Sequence, residues 1–234
     1  MKKEFKKLVI SIIVLLAAGV SPNLYVISQA GYANLSDLAL SYLIPSMAVI
    51  TVIFITGFYN GFSDLSAQIK NGIFAGIIAT VGLEIIREIG YHLGGMPGDM
   101  PKLLGVLLLD RFAYGPDLIS NIAGWSYHFW NGASFGIIYS VVFGKGRIWF
   151  GLIYALIIGT IFMVSPAAVA LGVGYFGVDF GWGFPVTVIL AHTVFGLTLG
   201  WFIFNRNKMD SSIFDLLKHL FRPGNKNAED MDQN

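Results

Sequence analysis

The sequence predicts an all-α fold, a polytopic transmembrane helix bundle of six spans with both termini on the cytoplasmic side. Three observations carry that prediction. Only 12% of the 234 residues are charged and 55% are hydrophobic, where a soluble domain carries about 25% charged residues; too little polar surface exists to face water all round. Apolar runs near the ~20 residues needed to cross a bilayer recur along the chain. The basic residues are segregated in step with those runs.

Residues 1–7, Met-Lys-Lys-Glu-Phe-Lys-Lys, form a basic head. An apolar run from Leu8 to Val20, then Ser21-Pro22-Asn23, then a milder stretch to Ala30 follow. A charged head, a short apolar core and small residues at Ala30 and Ala33 also describe a signal peptide. The preferred reading is a retained first span, 8–29, broken near Pro22. The second span is 38–58, with Pro45 in its first half, and the third is 71–92, opened by Lys70. Leu93 to Ser120 is too long for a simple turn. Its Leu103–Leu109 run is too short to cross the hydrocarbon and predicts a short helix at or dipping into the interface, capped by Asp99 and Pro101. The fourth, fifth and sixth spans are 121–143, 148–170 and 185–204. The Gly/aromatic stretch between the last two suits the headgroup layer. The bundle therefore covers 1–206. A cytoplasmic tail, 207–234, holds an amphipathic helix over about 211–221 with Ser211 or Ser212 as its cap, and is disordered from Pro223.

Orientation follows from charge. Twelve basic residues (Lys2, Lys3, Lys6, Lys7, Lys70, Lys145, Arg147, Arg206, Lys208, Lys218, Arg222 and Lys226) fall on the side of the N-terminus, and only Lys102 and Arg111 fall on the other. That asymmetry predicts the cell (cytoplasmic) membrane with N-in, C-in topology.

Two hairpins share a pattern. His128 to Gly136 and His192 to Gly200 both read H-x-x-x-G-x-x-x-G, and Lys70 to Ile78 matches Lys145 to Ile153 as K-x-x-I-aromatic-x-G-x-I. Spans three–four and five–six thus read as parallel copies, the first with an outer loop about 11 residues longer. The small residues make a groove where helix backbones approach, which turns both histidines into the bundle. In the second copy Gly159, Phe162 and Met163 stand where the first has Glu84, Arg87 and Glu88.

Those charges define the candidate site. Each costs ~2.5–3.5 kcal/mol at mid-helix. Glu84, Glu88 and His92 recur every four residues and Arg87 lies a turn after Glu84. With His128 and His192 they fall in one leaflet, the outer one, which predicts a single outward-facing polar site. Arg87 neutralises one carboxylate; the other needs a proton, a protonated histidine or a cation. Glu88, His128 and His192 are accordingly the candidate catalytic residues, or the ligands of a divalent metal, with Glu84, Arg87, His92 and Asn131 in support. One haem between His128 and His192 is also geometrically allowed. The same residues admit plainer readings: Glu84–Arg87 as an intrahelical pair, His92 as solvated, the histidines as helix–helix contacts. Asp99, Asp110 and Asp117 read as caps or water-facing residues, and Trp125, Tyr127, Trp130 and Trp182 as interface anchors.

Three functions remain open on these residues: metal binding or acid–base chemistry on a small-molecule or lipid ligand reached from the outer face, proton-coupled transport, and a non-catalytic subunit or assembly factor in a membrane complex or homo-oligomer. The absence of cysteine excludes disulfides, thiolate metal sites and covalent c-type haem. No metalloprotease, nucleophile-elbow, P-loop or dinucleotide fingerprint is present, and a net charge of +1 gives no signal for nucleic acid. The segments Met96-Pro-Gly-Asp-Met-Pro-Lys-Leu-Leu-Gly105 and Tyr127-His-Phe-Trp-Asn-Gly-Ala-Ser-Phe-Gly-Ile-Ile-Tyr139 resemble a family of small bacterial and archaeal polytopic membrane proteins. The resemblance covers roughly the third to sixth spans, and no activity or site residue comes with it.

Overall fold

The computed structural model describes residues 2–207 and 212–221. Lys208, Ser211, Arg222, Lys226 and the tail from Pro223 lie outside them, as does the side chain of His219. Among the described residues the fold is helical, with no strand. The helices are α1 (Lys2–Gln29), α2 (Leu35–Tyr59), α3 (Ser63–His92), α4 (Met100–Leu108), α5 (Leu118–Phe143), α6 (Ile148–Met163), α7 (Pro166–Ala170), α8 (Gly183–Arg206) and α9 (Ile213–Phe221). Four of them, α1, α2, α3 and α8, are long and apolar enough to cross a membrane. Their outward residues, among them Leu16, Val52, Ile85 and Trp201, are exposed and apolar, as lipid-facing surface must be. The architecture fits an integral membrane protein.

Three prolines meet three different fates. Pro22 lies inside α1, which continues through it rather than breaking; the Asn23 side chain donates to the Gly19 carbonyl at 2.7 Å in that turn. Pro45 follows a wide π turn, Ala39–Leu43, inside α2, a local widening that absorbs a disturbed helical register. Pro166 divides the predicted fifth span. Its missing N–H and its ring oppose helix continuation, so α6 stops at Met163 and α7 restarts at Pro166. Ser165 closes the break by donating its backbone N–H (3.1 Å) and hydroxyl (2.8 Å) to the Phe162 carbonyl.

The predicted short helix is α4, capped by Asp99, whose carboxylate accepts the Lys102 backbone N–H at 3.3 Å. Asp117 and Ser120 form a reciprocal capping box at the start of α5. The tail helix α9 begins after Ser212, whose hydroxyl accepts the Asp215 backbone N–H at 3.1 Å, and α9 packs on α1 and α5.

Packing places α3 at the centre, against α5 on one side and α8 on the other, while α6 packs mainly on α8. Glycines set these contacts. Gly76 of α3 lies against the backbone of Gly132 in α5, and Gly72 against Gly136. In α6 and α8, Gly151 lies against Gly196 and Gly200 in the same manner. A Cβ at these positions would collide with the facing backbone or, at Gly132, with the Thr80 side chain, so the small residue is what lets the helices touch. By contrast α5 and α6 barely touch.

One end of the bundle is tied by a buried polar network. Asn207 Nδ2 donates to Ser140 Oγ and to the Gly144 carbonyl, both at 2.9 Å, and its Oδ1 accepts Asn71 Nδ2 at 2.9 Å. Ser140 Oγ donates to the Gln68 carbonyl at 2.9 Å, and Gln68 Nε2 donates to the Ser140 carbonyl at 3.1 Å.

Candidate functional site

The face of α3 toward its neighbours runs Thr80, Leu83, Glu84, Arg87, the i, i+3, i+4, i+7 stripe of a helix. All four line a cavity of about 350 Å³ enclosed by α1, α3, α5, α6 and α8. That volume lies in the range of small-molecule sites. Met96, Met100 and Leu104 supply its wall on the side of the 93–117 stretch. Asn23 of α1 and Ile161 of α6 are exposed residues of the lining, and α5 and α6 touch little. Most of the remaining wall is apolar.

The polar groups gather at one part of that wall. Glu84 is 7% exposed and Arg87 4%. Arg87 Nε donates to both Glu84 oxygens, at 2.9 and 2.8 Å. His128 Nε2 lies 2.9 Å from Glu84 Oε1, an ion-pair distance. Arg87 Nη2 turns the other way, to Glu88 at 3.3 Å and Asp99 at 3.9 Å. Asp99 is in turn paired with Lys102 at 3.2 Å.

His192 of α8 lines the same cavity. Its Nδ1 donates to the Val188 carbonyl at 2.8 Å, which fixes the tautomer and leaves Nε2 for other chemistry. Its ring rests on Gly159 of α6, where a Cβ would stand 2.8 Å from the imidazole. Thus His128 meets a carboxylate, whereas His192 meets a glycine.

Of the residues the sequence singled out, Glu84, Arg87, His128, Asn131 and His192 line one cavity. Glu88 and His92 do not. They pair with each other at 3.2 Å on the outside of α3, with side chains 50% and 71% exposed. The reason is helical drift: a step of four residues overshoots a turn by about 40°, so Glu88 rotates off the face that Glu84 occupies. Glu88, His128 and His192 therefore do not form one ligand set. Among the described residues, no three His, Asp or Glu side chains come together as a metal site. Asn131 is committed to the wall, its Oδ1 accepting the Ser21 hydroxyl at 2.5 Å.

Sequence reasoning missed Tyr25, which lines the cavity from α1 with a buried, unpartnered hydroxyl. The available signal was its place three residues after Pro22, in the span facing the His128 helix. Comparison with family models, with characterised proteins and with solved structures returns no match.

Proposed function

We propose that this chain is a six-span protein of the cell membrane, N-in and C-in, whose outer-half cavity binds a lipid-soluble molecule and moves a proton between His128 and Glu84. One observation carries the reading: a buried carboxylate that meets both a guanidinium and an imidazole on the wall of a cavity large enough for a small molecule. The two additional spans are α5, about 39 Å long by helical rise, and α6, about 24 Å and extended by α7. The lower apolarity of α5 is accounted for by its burial among α1, α3 and α4. Lys3 beside Gly61, and Asn71 beside Arg206, put the basic segments at one end of the bundle, in keeping with the charge asymmetry. The matched contacts Gly76–Gly132 and Gly151–Gly196, and Glu84–His128 and Gly159–His192, support a duplicated hairpin.

The chemistry follows from the balance of charges. In a medium of low dielectric an imidazolium–carboxylate pair and the neutral imidazole–carboxylic acid pair lie close in free energy. His128 Nε2–H can pass its proton to Glu84 Oε1, and the reverse step restores the ion pair. Arg87 holds Glu84 in position; a ligand that displaces or accepts from Arg87 loosens that hold.

The test is pH-difference infrared spectroscopy of the reconstituted protein. A carboxyl–carboxylate band pair should disappear in Glu84→Gln, change in His128→Ala and survive in Glu88→Gln. A pair retained in Glu84→Gln would overturn the reading. Topology is tested separately: the chain has no cysteine, so Gly98→Cys and Lys145→Cys should react with an impermeant maleimide from opposite faces.

A further inference from the structure

We infer that the cavity takes a lipid with a neutral, acceptor-rich head, an ester or ketone carbonyl, drawn sideways from the bilayer. The inference rests on the reading of the cavity as a ligand site inside the membrane. Two buried polar atoms on cavity-lining residues have no hydrogen-bond partner: Arg87 Nη1 and Tyr25 Oη. Arg87 is 4% exposed and Tyr25 6%, so bulk water does not serve them. A guanidinium nitrogen can only donate, and a phenol readily does. Buried donors left unmade are costly, and together they call for acceptor oxygens.

Charge selects among acceptors. The single guanidinium already faces Glu84 and Glu88, with Asp99 at 3.9 Å. An anionic head would add another negative charge to a cationic centre that is already neutralised. A cationic head would find both Glu84 oxygens held by Arg87 and one of them by His128. A neutral carbonyl meets neither penalty. The rest of the ligand must be apolar, because Leu83, Phe135 and Phe195 line the interior. The way in is the gap between α5 and α6, where Ile161 lines the cavity and is 59% exposed on the lipid-facing flank.

The probe is the methyl ester of an 18-carbon fatty acid carrying a diazirine on its chain, with the free acid and the matching hydrocarbon as comparators. Each is photo-crosslinked to the full chain in nanodiscs and the modified peptides are mapped. The ester should label α5 and α6 saturably and in preference to both comparators. Tyr25→Phe should weaken that labelling about fivefold, the worth of one hydrogen bond, and Ile161→Trp should abolish it. Preference for the acid, or equal labelling by the hydrocarbon, overturns the neutral-head inference while leaving an intramembrane ligand site in place. No saturable labelling by any probe, with the Glu84 infrared bands intact, overturns the inference but not the proton-transfer reading. Loss of both results overturns both.

Discussion

Two polar clusters lie inside this hydrophobic bundle, and they differ in one respect. The Gln68–Asn71–Ser140–Asn207 group is closed: its buried atoms bond to one another and to carbonyls of α3 and of the α5–α6 turn. The Glu84–Arg87–His128 group is open, with Arg87 Nη1 unpartnered on a residue that lines a cavity. Polarity in a membrane bundle is thus of two kinds. A closed cluster is an adhesive between helices. An open one carries bonding capacity that the chain itself does not use, and that surplus distinguishes a site from a staple.

The largest expected effect breaks the open cluster. Arg87→Ala leaves Glu84 buried without its counter-charge and should destabilise the detergent-solubilised protein by about 3–5 kcal/mol. The double variant Glu84→Leu with Arg87→Met should recover most of that loss, as judged by denaturant titration. Next, Asn207→Leu removes the hub of the closed cluster and should cost about 2 kcal/mol, with the Glu84 infrared bands unchanged. If those bands move, the two clusters are coupled and the contrast between them fails. Tyr25→Phe has the opposite sign. It deletes an unpartnered buried hydroxyl, so the ligand-free protein should gain about 1 kcal/mol while losing affinity for the ester probe.

The smallest effect lies at the water-facing cap of α5. The Ser120 backbone N–H donated to Asp117, helped by the Ser120 hydroxyl and by Arg111 at 2.8 Å, holds the Asp117 carboxyl below the usual carboxylate range. A carboxyl whose folded pKa is depressed stabilises fully above its unfolded value, near 3.9, and the benefit is lost as pH falls through the folded value. The thermal midpoint of the wild type should therefore drop slightly further below about pH 4 than that of Asp117→Asn. Equal acid sensitivity of the two proteins would remove Asp117 from the account. Because this cap belongs to neither cluster, it also serves as a control for both.

The sequence made the long apolar helices legible because hydrocarbon imposes one simple demand, and α1, α2, α3 and α8 meet it visibly. It did not disclose how far they extend. Helix α3 begins at Ser63, eight residues before the predicted span, because a helix continues past the hydrocarbon while hydropathy does not. For the same reason Gln68 and Asn207, outside the apolar runs, drew no notice as a cluster. At the site, spacing by four grouped Glu84 with Glu88 and His92; the drift of the helix separated them, and Glu84 rather than Glu88 met His128. Both histidines were legible from their shared motif with glycine, because small residues four apart mark the faces that must turn inward. For Tyr25 only its position was legible; whether an aromatic hydroxyl lacks a partner is a property of its neighbours.

The parting of α5 from α6 has a consequence for how occupancy is regulated. On the proposed reading, a site reached through that gap senses the mole fraction of its ligand in the membrane, not its concentration in water. Even a sparingly soluble molecule is then presented at a high local density, and modest intrinsic affinity suffices to fill the cavity. The composition of the surrounding membrane, its saturation and its content of competing esters, becomes the variable that sets how often Arg87 and Tyr25 are engaged.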